Sequence, residues 1–131
     1  METKEIREIA FQTIYEAEVR GGKASEVLVD VELGNKAREF IRQIIEGVDR
    51  KKEEYNRIIS ENLRGWKIER VSKLSMAAIK MALSEIENNP KGTPNIAIAE
   101  AVRLANKFEG DEASGFVNGV LGNYMRGKEI N

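Results

Sequence analysis

An all-α fold is predicted by three observations on the 131-residue sequence. Apolar residues recur at three- and four-residue steps along most of the chain, both prolines fall in one loop, and no run alternates with the period of two that a strand shows. The strongest single sign is the stretch from Leu74 to Ile86. Its apolar members Leu74, Met76, Ala77, Ala78, Ile79, Met81, Ala82, Leu83 and Ile86 are spread round the whole helical wheel, and a helix apolar on every side is a buried one. This stretch is the expected hub of a bundle.

The other elements follow in order. From Thr3 to about Val19, Ile6, Ile9, Ala10, Ile14 and Ala17 form one stripe, with Arg7, Glu8, Gln12, Tyr15 and Glu16 nearer the polar side. Gly21-Gly22 ends that helix. A short amphipathic piece from Ser25 to Leu33 stops at Gly34-Asn35. From Lys36 the pattern Phe40, Ile41, Ile44, Ile45, Val48 marks a further helix, and after Gly47 it resumes with Tyr55, Ile58, Ile59 and Leu63; propensity leaves open whether Gly47 kinks or breaks it. Trp66 is read as a plug at a helix junction, where a large ring gains most from burial. Thr93 before Pro94 is a helix-start signal, an N-cap oxygen followed by a ring whose missing N–H is no loss. The helix it opens runs to Phe108 with Ile98, Ala101, Val102, Ala105 and Phe108 on its inner stripe. Glu109-Gly110-Asp111 turns the chain into a last helix, Glu112 to about Met125, with Phe116, Val117, Val120, Leu121 and Tyr124 inward. Gly119 and Gly122 inside it cost roughly 1 kcal/mol each against Ala, which suggests a close backbone approach.

Composition narrows the function classes. The chain has no Cys and no His, so thiolate and imidazole chemistry, the usual zinc ligands and a Ser-His-Asp arrangement are excluded together. Glu85 and Glu87 lie two apart on a helix and point to different faces, which does not suit a carboxylate pair sharing one substrate. They read as a solvated or ion-paired edge of the hub. Neither Gly21-Gly22 nor Gly119 to Gly122 sits between a strand and a helix, as a phosphate-cradling loop would. With 21 Lys+Arg against 22 Asp+Glu there is no global basic field; nucleic-acid binding would need a local patch. No apolar run has the length of a membrane span and the first residues carry no apolar signal region, so a cytoplasmic, non-enzymatic helical protein is expected, with no cofactor and no metal.

Four groups of residues carry a family resemblance. They are Arg7, Ala10, Gln12 and Tyr15 in the first helix; Leu63, Trp66 and Arg70 followed by Ile79-Lys80-Met81-Ala82 and Glu85-Ile86; Pro94, Ile96-Ala97-Ile98, Glu100-Ala101-Val102, Leu104-Ala105 and Lys107-Phe108; and Phe116-Val117-Asn118-Gly119-Val120-Leu121. In order and spacing this resembles the NusB family of bacterial transcription antitermination factors, over essentially the whole chain. The resemblance implies an all-α, NusB-like helical bundle of about seven helices in two helical subdomains, forming one RNA-binding domain over residues 1–131. It implies a protein that binds boxA RNA of ribosomal RNA leader transcripts together with NusE, a small-subunit ribosomal protein, and through it joins the RNA polymerase antitermination complex and promotes read-through.

Lys4, Arg7, Gln12, Phe108, Phe116 and Asn118 are the RNA-binding residues the resemblance implies, and Tyr15, Glu69 and Ser75 the partner-facing ones. Arg7 offers a cation for phosphate and Gln12 an amide for a base edge; Arg7→Ala is then expected to weaken RNA binding and leave thermal stability nearly unchanged. Either phenylalanine could stack an unpaired base, and either also suits the core. Asn118 suits a helix-end bond or RNA. Ser75 stands where the family usually has an acid. Residues 1–20 hold Lys4, Arg7 and Arg20 against Glu2, Glu5, Glu8, Glu16 and Glu18, a charge of 3 − 5 = −2 and a poor electrostatic footing for RNA. The alternative is a protein-protein module of the same fold, possibly homodimeric, with weak RNA affinity.

Overall fold

The computed structural model describes residues 3–27, 32–65, 67–89 and 92–130. Six α-helices occur in them: α1 (Thr3–Arg20), α2 (Asn35–Arg50), α3 (Lys52–Glu61), α4 (Lys73–Asn88), α5 (Pro94–Glu109) and α6 (Asp111–Ile130), with single 3-10 turns at Ala24–Glu26 and Ile68–Arg70. No strand occurs among the described residues. The short piece expected from Ser25 to Leu33 falls in part on residues 28–31, which lie outside the described set, as does Trp66 with the role expected for it; the turn at Ala24–Glu26 precedes them.

α4 is the hub. It packs against every other α-helix, with α1, α2 and α3 before it in the chain and α5 and α6 after it, and one hydrophobic cluster draws on both groups. Burial takes in the whole of Leu74 to Glu85. That run includes Lys80, Ser84 and Glu85, and each of them has a partner because a polar group buried without one costs several kcal/mol at the upper end. Ser84 Oγ donates to the Ile44 carbonyl at 2.8 Å, Lys80 pairs with Glu18, and Glu85 holds Arg7. Burial outweighs Glu18 in setting the Lys80 ammonium, whose pKa lies below the usual lysine value.

Helix ends are set locally. α1 closes on Gly21 at φ 79°, whose N–H donates to the Ala17 carbonyl at 2.8 Å, a left-handed stop that suits glycine. α4 begins on Ser72, whose Oγ accepts from Ser75 N–H at 3.0 Å and donates to Glu109 at 2.8 Å, tying the start of α4 to the end of α5. Thr93 takes the extended N-cap backbone of α5, but its side chain makes no cap hydrogen bond and Pro94 alone supplies the start signal. Gly110 at φ 98° makes the turn into α6, which runs past the expected Met125 to Ile130.

Two glycines differ from expectation. α2 continues unbroken through Gly47 and ends at Arg50. The close approach falls here and not on α6: a Cβ on Gly47 would land on Ser84 Oγ and 2.9 Å from Asn88 Nδ2, whereas one on Gly119 would meet nothing within 4 Å. Gly119→Ala should therefore raise stability by up to about 1 kcal/mol, the helix-propensity difference, readable as a higher urea midpoint with unchanged slope. An unchanged or lowered midpoint would show that a neighbour does crowd that position.

Candidate nucleic-acid interface

Helical spacing puts Lys4, Glu8, Phe11, Gln12 and Tyr15 of α1 on neighbouring positions of one face, linked by steps of three and four. Lys4, Gln12 and Tyr15 are exposed, and the Phe11 ring is buried beneath them. Phe11 stacks on Phe108 of α5, centroids 5.6 Å apart, and on Tyr15 at 6.4 Å. Tyr15 is 37% and Phe108 42% exposed. The result is a row of three rings across the α1–α5 junction, its middle member anchored in the core and its ends open. Lys107 Nζ lies 5.3 Å from the Phe108 centroid and pairs with Glu8 at 2.7 Å.

Phe108 is therefore not on the inner stripe of α5, which is made by Ala97, Ala101, Leu104 and Ala105. The reason is geometric. On the last turn of α5 the Phe108 ring turns away from that stripe and stacks on Phe11 of α1, while Glu109 beside it reaches Ser72 at the start of α4. Phe11, absent from the sequence reading, is one of the largest fully buried side chains; its i,i+4 spacing to Tyr15 was the available signal.

Arg7 does not join this face. Although three residues from Lys4 and four from Phe11, it is only 9% exposed and donates from Nε and Nη2 to the two carboxylate oxygens of Glu85, both at 2.9 Å. Its guanidinium also sits 5.4 Å from the Phe40 centroid. The Glu85 hydrogen bonds hold its pKa above the ordinary arginine value against the opposing effect of burial. A fork committed to one carboxylate does not offer itself to phosphate, so Arg7 is a positioning residue that ties α1 to α4. The expectation of unchanged stability in Arg7→Ala does not fit this geometry.

The remaining expected residues lie in separate places. Phe116 and Ser75 meet at a cavity of about 560 Å³ that Arg70, Ser72, Glu109 and Glu112 also line; Ser75 is 3% exposed. Glu69 is exposed in the 3-10 turn and borders a different cavity that Glu18, Lys73 and Lys80 share. Asn118 is exposed in the middle of α6, away from either helix end. The acidic footing of α1 is changed by tertiary pairing. Glu8 and Glu18 meet Lys107 and Lys80 from other helices, and Glu16 meets Arg20. Adding those two lysines, and Glu85 as the partner of Arg7, to the count for residues 1–20 gives −2 + 2 − 1 = −1.

No group of three or more metal-binding side chains occurs among the described residues, and no helix among them is long and apolar enough to cross a membrane. Fold and surface together define a helical scaffold that presents an aromatic and amide edge. Its family is shown by direct comparison: the NusB family model matches residues 4–126, and the chain belongs to that family. The transcription antitermination protein NusB of Symbiobacterium thermophilum is 30% identical, over 97% of this chain and 91% of that protein. Among solved structures, a chain in a plectonemic RNA supercoil crystal superposes with TM-score 0.87 at 26% identity, covering 98% of this chain and 96% of that one. A chain from the complex of antitermination factors NusB and NusE with dsRNA gives 0.84 at 25% identity, covering 95% and 96%.

Proposed function

We propose that this protein is a transcription antitermination factor that holds boxA RNA of ribosomal RNA leader transcripts jointly with NusE and so promotes read-through by RNA polymerase. The observation that carries the RNA part is the Tyr15–Phe11–Phe108 row. Two exposed rings, an exposed amide at Gln12 and cations at Lys4 and Lys107 are what an unpaired strand requires: faces for bases, a hydrogen-bonding edge and charge for phosphate. Phe116 and Asn118 lie apart from this row on α6 and are not needed for it. NusE is assigned to Glu69 and to the Tyr15 end of the row, where RNA and partner would adjoin; Ser75, 3% exposed, is reached only through the cavity it lines. Support for the pairing comes from the relative crystallised with NusE and dsRNA. The domain spans residues 1–131 and acts in the cytoplasm by binding alone, with no bond made or broken.

Titrating labelled boxA RNA into the protein, with and without NusE and at two salt concentrations, tests this. Sequence-selective, salt-sensitive binding that NusE strengthens is expected. Phe108→Ala should weaken it by about 1–3 kcal/mol, the worth of one base stacked on a ring, while the melting temperature changes little because the ring is already part exposed. Binding indifferent to RNA sequence, or to loss of Phe108, would leave the homodimeric protein-protein module as the better account.

A further inference from the structure

A cleft separate from the ring row runs between the C-terminal end of α3 and the outer face of α6. Two hollows of about 200 and 310 Å³ make it, joined through Asn62, Arg64 and Asn123, which line both. Arg64 Nη2 donates to Asn123 Oδ1 at 3.5 Å, and Arg126 Nη2 donates to the same oxygen. Two guanidiniums thus converge on one neutral acceptor. Neither has a carboxylate partner among the described residues. Glu61, the one acid on the lining, is paired with Arg57 at 2.9 Å. Like charges drawn together with no anion between them form a site whose repulsion an anion would relieve, and the planar guanidinium fork matches a phosphate.

The floor of the cleft fits a strand and not only an ion. Gly115 and Gly119 line it, and a Cβ at either would meet nothing within 4 Å, so the helix backbone is bare along one turn. Phe116 closes one end. We infer that this cleft is a second RNA-contact site, in which Arg64 and Arg126 bind backbone phosphates of a single-stranded RNA without reading its sequence. The inference rests on the RNA-binding reading above, and the two fail separately.

The test is anisotropy of labelled poly(U) with the full chain over a range of salt, comparing wild type, R64A/R126A, R64K/R126K and F108A. Each phosphate neutralised on a single strand contributes about 0.7 to the salt slope, so the alanine pair should flatten the slope by about 1.4. The lysine pair should keep it, and all variants should keep the wild-type melting temperature. F108A should lower affinity at an unchanged slope. If F108A alone has no effect, the ring-row reading fails and the cleft stands. Equal slopes for wild type and the alanine pair, or no poly(U) binding by wild type, would overturn the cleft. So would an unchanged slope together with a lowered sedimentation mass, which would make this face a contact between copies.

Discussion

Arg7→Ala should cost about 3–5 kcal/mol of stability, because it strands the Glu85 carboxylate without its partner in the interior. The pair joins α1 to α4 across 78 residues of sequence, with both side chains nearly out of solvent at 11% and 6% exposure. Ion pairs at the surface are worth little, but breaking a desolvated one leaves an uncompensated charge. Chemical denaturation should show a reduced midpoint with little change in slope. Replacing both members, Arg7→Met with Glu85→Met, should recover most of the loss, since apolar substitutes of similar volume often match a buried pair. An Arg7→Ala protein as stable as wild type would mean that the guanidinium faces solvent.

Gly47→Val should destabilise by roughly 1–3 kcal/mol, the usual cost of forcing methyl groups into a filled core. The helix α2 crosses α4 at this glycine, and a side chain there meets Ser84 Oγ and Asn88 Nδ2. Both atoms are engaged with α2 carbonyls, Ser84 with Ile44 at 2.8 Å and Asn88 with Gln43 at 3.0 Å. Pushing them away forfeits bonds between the helices as well as packing. Shortening the opposing side chain in Gly47→Ala/Ser84→Ala should be milder than Gly47→Val. A valine variant with the wild-type urea midpoint would show that α2 and α4 stand further apart.

The elements were legible because their signals are local. Gly21, Pro94 and Gly110 mark ends by backbone constraint, and the stretch from Leu74 to Ile86 declares its burial on every face. Side-chain partners across the bundle were not legible. Arg7 reads as a surface cation because nothing near it in sequence shows that Glu85 lies against it. A sign was present all the same: a helix buried all round that carries Lys80 and Glu85 must find opposite charges on other helices, and α1 supplies both in Glu18 and Arg7. Tyr15 and Phe108 fell to different partners in the sequence reading. The ring that joins them, Phe11, belongs to neither motif and shows its role only once α1 and α5 are packed.

The most direct test is a map of amide shifts in the ¹⁵N-labelled protein as boxA RNA is added in the presence of unlabelled NusE. RNA-dependent shifts should gather at Lys4, Gln12, Tyr15 and the last turn of α5 around Phe108, while the middle of α4 stays still. Shifts confined to other faces, with the ring row silent, would contradict the claim that this edge is where the protein holds RNA.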